Sequence, residues 1–148
     1  MTSFGLILGG GAVLSQVARE LTTAVERELA PLGLTSQQAA LLLHASRGAL
    51  SPSQLRRELG TDTAGMTRLV DRLAEKGLLV RQRHPEDRRA IVLELTPAGS
   101  ALVPRLPPIF GGVSQRAFAG LSTEELGQVT ALLQRMLDNL RATPADGP

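Results

Sequence analysis

Residues 61–96, TDTAGMTRLVDRLAEKGLLVRQRHPEDRRAIVLELT, decide the fold of this chain. The first part predicts an amphipathic helix from about Asp62 to Lys76, because apolar residues recur at helical spacing. The apolar residues expected to face a core are Met66, Leu69, Val70 and Leu73. Thr61 is the predicted N-cap, and Gly77 is the predicted stop after the last turn.

Two short strands are predicted after this helix. Residues Leu78–Arg83 and Arg89–Leu95 are rich in Val, Ile and Leu, and the polar, turn-prone segment 84–88 separates them. A helix whose other face carries small polar residues and Arg, followed by a hairpin with Arg at its tip, is typical of a winged helix-turn-helix. The stretch therefore predicts a DNA-binding protein, and we call its helix the recognition helix.

Two capping boxes precede this stretch. TSQQ at 35–38 opens a helix to about Arg47, with Gly48 as its stop, and SPSQ at 51–54 opens a short helix over 52–58. The first of these helices is expected to bury Ala39, Leu42, Leu43 and Ser46. The link at 59–61 contains a glycine, as expected for the tight turn of a helix-turn-helix.

Further helices are predicted after the stretch. Thr96 and Pro97 open a helix through Leu102, and the prolines at 104, 107 and 108 predict a kink or break between Val103 and Pro108. Helix is expected to resume as far as about residue 119. A box at 122–125, STEE, opens a last helix with an apolar stripe too wide for its own small domain, and 143–148 is predicted to be a frayed tail.

The N-terminal segment allows two interpretations. From Val13 onward it predicts a helix, but Leu6–Leu8 followed by Gly9–Gly11 also resembles a strand leading into a phosphate-binding glycine turn. A dinucleotide fingerprint would need a small residue where Leu14 stands, and neither a second βα unit nor a Gly-Lys-Ser/Thr sequence follows. The alternative is a long helix whose start is weakened by about 1 kcal/mol per Gly relative to Ala.

Composition narrows the class of protein. The chain has 148 residues, enough for one domain or one domain with an extension, and no Cys, which excludes disulfides, thiolate metal sites and thiol switches and fits a cytoplasmic protein. The net charge is +2, yet residues 47–96 carry nine Arg and one Lys against seven acidic residues. This local excess favours contact with phosphate. We expect neither a membrane span nor a signal peptide.

Four groups of residues carry a family resemblance: PLGLT at 31–35, MTRLVDRL at 66–73, Gly77 with the hydrophobic residues after it, and the wing motif. In that motif Asp87-Arg88-Arg89 precedes Leu95-Thr96. On these residues, and over roughly 6–140, the chain resembles the MarR (multiple antibiotic resistance regulator) family. It departs from the family at the glycine triplet and at the proline cluster.

The resemblance implies a mainly α fold with a small β-hairpin (α+β). One unit over 1–142 would hold a winged helix-turn-helix at 35–96 between dimerisation helices at 4–34 and 97–142. The implied function is that of a transcriptional regulator, not an enzyme: a homodimeric repressor of palindromic operators in double-stranded DNA, relieved by a small phenolic or aromatic effector. The apolar first and last helices suit an isologous interface.

The predicted DNA-contact residues are Ser53, Arg56, Arg57, Thr61, Thr63, Ala64, Thr67, Arg68, Arg88 and Arg89. The N-terminal end of the recognition helix would enter a major groove, where the fork of Arg68 matches guanine N7 and O6. Ser53 and the two arginines of its helix would contact phosphate, and Arg88 or Arg89 a narrow minor groove. The alternative for the helix residues is a solvated face or a cap.

Asp87 would repel phosphate unless it has a partner, so we expect it to orient one wing guanidinium through charge-assisted hydrogen bonds. The alternative is a solvated ion pair in the turn, worth less than about 1 kcal/mol. For an effector, Arg19, His44 and Arg47 could hold an anion, although a lone His on an apolar helix is often a satisfied structural residue. No cofactor or metal is predicted.

Two rival functions remain. An enzyme or nucleotide-binding domain would use Gly9–Gly11, but no set of convergent acids, activated nucleophile or Gly-x-Ser-x-Gly elbow is present. A winged-helix module that binds protein through the same surface is the other. The salt dependence of binding distinguishes that module from a DNA-binding protein.

Overall fold

Seven α-helices and one β-hairpin make up the described residues, 4–48 and 50–142, in a computed structural model of the chain. In chain order they are α1 (Phe4–Leu29), α2 (Ser36–Ala45), α3 (Pro52–Leu59), α4 (Thr63–Glu75), β1 (Leu79–Arg83), β2 (Ile91–Leu95), α5 (Pro97–Leu102), α6 (Leu106–Ala117) and α7 (Thr123–Ala142). Short 3-10 helices follow α1 at Ala30–Leu32 and α5 at Val103–Arg105. The predicted class, mainly helical with a small antiparallel hairpin, is confirmed.

The chain divides into two units, one ending at Val113 and the other beginning at Ser114. The core of the first unit is built largely of leucine, and its largest fully buried side chains are Leu29, Leu41, Leu42, Leu55, Leu73, Leu79, Leu93 and Leu106. They come from α1, α2, α3, α4, both strands and α6, so one core holds all of these elements. The predicted apolar stripe of the recognition helix, now α4, is buried in this core.

The predicted capping boxes at 35–38, 51–54 and 122–125 are confirmed. In the first, Thr35 Oγ1 accepts from the backbone N–H of Gln38, and Gln38 Oε1 accepts from the backbone N–H of Thr35, both at 3.2 Å. Each box satisfies two helix-end donors, which is why α2, α3 and α7 begin where the sequence pattern predicts.

The predicted end of α2 was wrong. The helix ends at Ala45, and Ser46, expected on the buried side, is exposed. Its hydroxyl donates to the carbonyl of Leu43 at 2.6 Å. A serine whose hydroxyl bonds a nearby backbone carbonyl competes with helical hydrogen bonding and favours a helix end.

The helix-turn-helix and the wing follow the predicted order with shifted bounds. Gly60, with φ of 63°, forms the turn between α3 and α4, and Gly77, with φ of 71°, follows α4. The strands pair antiparallel from Leu79 opposite Leu95 to Arg83 opposite Ile91. β2 therefore begins two residues after the predicted Arg89.

The glycine triplet lies inside α1, which runs unbroken from Phe4 to Leu29. None of the three glycines has a positive φ, and open space surrounds each position where a Cβ would stand. In a helix interior the backbone N–H groups already bond within the helix, so they cannot cradle a phosphate. The strand and glycine-turn interpretation was wrong, and the long-helix interpretation is confirmed.

The proline-rich segment breaks the helical pattern as predicted. α5 ends at Leu102, a 3-10 turn covers Val103–Arg105, and α6 begins at Leu106. Pro107 and Pro108 then occupy the first turn of α6, where a missing backbone donor leaves no intrahelical bond unmade.

The second unit, described by itself, contains α7. None of the residues in this helix is buried, and its apolar side chains include the exposed Leu132, Leu133, Met136, Leu137 and Leu140. The predicted tail at 143–148 lies outside the described residues. Across the helices of residues 4–48 and 50–142, none combines the length and apolarity that a membrane crossing requires.

Candidate nucleic-acid interface

A carboxylate closes the N-terminal end of α4. Asp62 is the N-cap, and its Oδ1 accepts a hydrogen bond from the backbone N–H of Gly65 at 2.6 Å. The prediction that Thr61 caps this helix was wrong by one residue. Asp62 serves better because its charge also meets the positive end of the helix dipole. Thr61, which is half-buried, precedes the cap residue, and its Oγ1 lies beside Gly65.

The outward face of α4 carries the side chains that the sequence predicts. Thr63, Ala64, Thr67 and Arg68 are all exposed. The Thr67 hydroxyl donates to the carbonyl of Thr63 at 3.0 Å, so its donor is used within the helix. Within the described residues, the Arg68 guanidinium has no hydrogen-bond or ion-pair partner. Its whole fork therefore remains available to a ligand.

Helix α3 lies beside this face. Its first turn presents the exposed Ser53, and its last turn contains the exposed Arg57. Arg56 is half-buried, and its Nη1 donates to Thr63 Oγ1 at 3.3 Å. Arg56 thus joins α3 to the first residue of α4, in addition to its predicted role at phosphate, which stays a prediction.

The wing is a tightly bonded turn with two arginines at its tip. The backbone N–H of His84 donates to the carbonyl of Ala90 at 2.9 Å, where the two strands end. Asp87 organises the tip, since its carbonyl accepts from Ala90 N–H at 3.1 Å and its Oδ1 accepts from Arg89 N–H at 3.0 Å. Arg88 and Arg89 are both exposed.

Asp87 therefore orients the wing in a different way from the one predicted. Its carboxylate holds the backbone of the turn, and no guanidinium within the described residues pairs with it. The result for a ligand is the one expected from a direct ion pair, because the arginines of the wing are still held in a defined place. The backbone that carries Arg88 and Arg89 is fixed, while both guanidinium groups stay free for a ligand.

One ion pair that the sequence analysis missed joins the wing to α4. Arg81 on β1 donates through Nη2 to Oδ1 of Asp71 on α4. Both side chains are about half exposed, at 40% and 50%, so the pair adds less than about 1 kcal/mol to stability. It places the Arg81 guanidinium of the hairpin against the side of α4. Nothing in the spacing of residues 71 and 81 predicts this contact.

Open clefts flank α4. One, of about 280 Å³, is lined by residues of α3, α4 and β1 and includes Arg56, Thr67 and Arg81. Another, of about 530 Å³, includes Thr61 and Arg68 and reaches the start of α2. The N-terminal half of α4 is thus a ridge with arginine along its sides, a shape that suits insertion into a groove lined by phosphates.

The predicted effector residues do not form one site beside α4. Arg19 is exposed on α1, His44 is half-buried on α2, and Arg47 is exposed just after α2. The backbone N–H of Arg47 donates to the carbonyl of His44 at 3.2 Å, but no side-chain hydrogen bond within the described residues links the three, and neither cleft beside α4 includes them. Among residues 4–48 and 50–142, no cluster of three His, Asp or Glu side chains is placed to hold a metal ion.

Comparison with known proteins gives consistent matches. The sequence model of the MarR family matches residues 32–90. A mutant MarR from E. coli, solved in complex with operator DNA, is 26% identical and covers 93% of this chain and 99% of its own, with a TM-score of 0.81. The transcriptional regulator PA3341 is 30% identical over 90% of this chain and 98% of its own, with a TM-score of 0.80.

A third solved structure is that of BpsR from Bordetella bronchiseptica, described with a mechanism by which 6-hydroxynicotinic acid regulates its DNA binding. It is 28% identical over 86% of this chain and 92% of its own, with a TM-score of 0.78. Each of the three matches covers at least 86% of this chain.

Proposed function

Because the chain belongs to the MarR family of transcriptional regulators, we propose that it binds a palindromic operator as a homodimer and represses transcription until an effector releases it. The observation that supports DNA binding best is the arrangement around α4. Among the residues that the structure describes, Arg68 projects from a ridge without a protein partner, and Arg88 and Arg89 project from a wing whose backbone is fixed. Arg68 on the ridge suits a major groove, and the two arginines of the wing suit a minor groove.

The proposed contacts divide by chemistry. Arg68 contacts base edges, with Thr61, Thr63, Ala64 and Thr67 beside it, because these residues lie at the outward N-terminal end of α4. Phosphate contacts come from Ser53, Arg56 and Arg57 on α3, which position the chain without specifying sequence. Because its ligand is chromosomal DNA, the proposal includes a cytoplasmic location and contains no catalytic step.

Homodimerisation is proposed from exposed apolar surface. In the first unit, the N-terminal half of α1 exposes Phe4, Leu6, Ile7, Leu8, Val13, Leu14 and Val17. The second unit, considered by itself, exposes the apolar side chains of α7. Monomeric proteins rarely leave so much contiguous apolar surface in water, and a second copy offers identical surfaces for an isologous interface.

An effector is proposed on chemical grounds. The regulation of BpsR by 6-hydroxynicotinic acid supports an aromatic acid as the class of ligand. Arg19, His44 and Arg47 are the candidate residues for its carboxylate, because an anion needs a cationic or hydrogen-bonding partner.

The test is a selection of bound sequences from random duplex DNA with the purified chain. We expect an inverted repeat whose half-sites are about one helical turn apart. Enrichment of no sequence, or of a single unrepeated half-site, would contradict the proposal. The same experiment tests base recognition, symmetry and spacing.

Salt dependence separates this function from a winged-helix module that binds protein. The logarithm of the association constant should fall by about 0.9 for each log unit of salt and each phosphate neutralised. Arg57→Ala should make that slope shallower by about 0.9 per protomer, the contribution of one phosphate contact. Arg27→Ala, which removes an equally exposed arginine from α1, is the matched control and should leave the slope unchanged. A salt-independent affinity would favour the protein-binding module.

A further inference from the structure

The only lysine of the chain lies where the recognition helix ends. Lys76 is the C-cap of α4, and the other 15 of the 16 basic residues are arginines. Its side chain leaves α4 and reaches the segment that joins α1 to α2. Nζ donates to the carbonyl of Gly33 and, at 2.8 Å, to Oε1 of Gln38.

Gln38 makes this contact unusual. It is the buried polar side chain of the described residues, with 7% of its surface exposed. The same Oε1 also accepts from the backbone N–H of Thr35 at 3.2 Å, in the capping box of α2. One amide oxygen therefore holds the start of α2 and the end of α4 together. A compact ammonium with three donors can serve both this oxygen and the Gly33 carbonyl, whereas a flat arginine fork has a different geometry.

We infer that Lys76 is a positioning residue for DNA recognition, which sets the direction of α4 relative to the end of α1. The inference rests on the proposed function, because α1 supplies part of the proposed dimer surface. The direction of α4 relative to α1 then decides how far apart the two recognition helices stand in the homodimer.

Because α4 is long, a small rotation at its C-terminal end displaces its N-terminal end by several ångströms. The helix has 13 residues, so it is about 20 Å long at a rise of about 1.5 Å per residue. Its C-terminal end is tied by Lys76, and its base-contacting residues lie at the opposite end. A pivot of about 10° at Lys76 would move the N-terminal end by roughly 3.4 Å, which is about the axial rise of one base step.

A direct phosphate contact is the competing role for Lys76. Its ammonium already donates to two protein acceptors, so contact with DNA would require at least one of these bonds to break. The two roles predict different measurements. A phosphate contact acts on every DNA molecule and contributes to the salt slope. A positioning residue acts only where both half-sites must be reached together.

The experiment compares Lys76→Met with the unmodified chain on the selected operator and on a single half-site. We expect about a tenfold loss of operator affinity, equivalent to about 1.4 kcal/mol, with half-site affinity and salt slope unchanged. Arg27→Met, which removes an exposed charge from α1, is the control and should bind both DNA molecules normally. Should Lys76→Met not fold, Lys76→Gln keeps a polar side chain that is too short for both acceptors.

A distance measurement tests the geometry directly. The chain has no cysteine, so Ala64→Cys with a spin label gives one distance across the DNA-free homodimer, from the far end of each α4. The distance distribution should broaden by several ångströms in the Lys76→Met background. Unchanged width with unchanged operator affinity would overturn the inference. So would an equal loss on the half-site with a reduced salt slope. Failure of the unmodified chain to bind any duplex would instead overturn the proposed function, and the inference with it.

Discussion

A methyl group at residue 99 would collide with the backbone at the base of the wing. A Cβ built on Gly99 of α5 would lie 2.1 Å from the carbonyl oxygen of Leu78, where ordinary contact begins at 3.4 Å. The obstacle is main chain just before β1, so no side chain can rotate away to relieve it. We therefore predict that Gly99→Ala pushes α5 away from this backbone by about 1.3 Å.

The energetic balance of this change is unfavourable. Two hydrogen bonds cross the contact: Thr96 N–H donates to Leu78 O at 3.2 Å, and Thr96 Oγ1 donates to Gly77 O at 2.6 Å. Each contributes about 0.5–1.5 kcal/mol, and forced overpacking costs a further 1–3 kcal/mol or so. The higher helix propensity of alanine offsets at most about 1 kcal/mol of this cost. The expected result is a net loss of about 1–5 kcal/mol.

Urea unfolding followed by circular dichroism measures this loss, at one fixed chain concentration because the stability of a dimer depends on concentration. The matched control is Gly111→Ala in α6, where a Cβ would meet nothing within 4 Å. That substitution should stabilise the chain by up to about 1 kcal/mol. If Gly99→Ala is as stable as the unmodified chain, the close approach between α5 and Leu78 does not exist in solution.

Two further substitutions test the candidate interface, and a third, with its control, tests the cap of α4. Arg68→Ala should weaken operator binding by about 1–3 kcal/mol and relax the base preference at one position of each half-site, which a repeated selection detects; an unchanged preference would remove Arg68 from base contact. Arg89→Ala should cost roughly 1–3 kcal/mol of DNA binding with the fold retained, as measured by fluorescence anisotropy at matched salt; unchanged affinity would exclude this wing residue from the mechanism. Asp62→Ala removes the acceptor for the Gly65 N–H and should lower the free energy of unfolding by about 1 kcal/mol in thermal unfolding. Thr61→Val, its control, should be as stable as the unmodified chain, and a larger loss there would restore Thr61 as the cap.

Features with a local physical cause were predictable from the sequence. A capping box needs two residues three positions apart, so the starts of α2, α3 and α7 followed from the sequence alone. The apolar stripe of α4 and the break at Pro104 are equally local. Asp62 and Thr61 are both good caps, however, and the choice between them depends on backbone geometry that spacing does not contain.

Contacts between elements were not predictable in the same way. Arg81 pairs with Asp71 across 10 positions, and Lys76 meets Gln38 across 38. Neither spacing corresponds to a helical or strand repeat, so each contact can form only once the core has brought α4 beside the other element. At the glycine triplet of α1 the error was of another kind, because a local pattern was given too much weight. A local motif suggested a turn, but a glycine run has no conformation of its own and follows the helix that surrounds it.

Two groups of cationic side chains lie around α4 and the wing, and the difference between them explains how a net charge of only +2 can serve DNA recognition. Arg56, Arg81 and Lys76 have protein partners, and their contacts involve the start, the middle and the end of α4. Arg68, Arg88 and Arg89 have none within the described residues. The first group fixes the helix, and the second is left for the ligand. Contacts to phosphate position a protein on DNA without reading its sequence, so the discrimination of this chain must come from where the cations beside the bases are held.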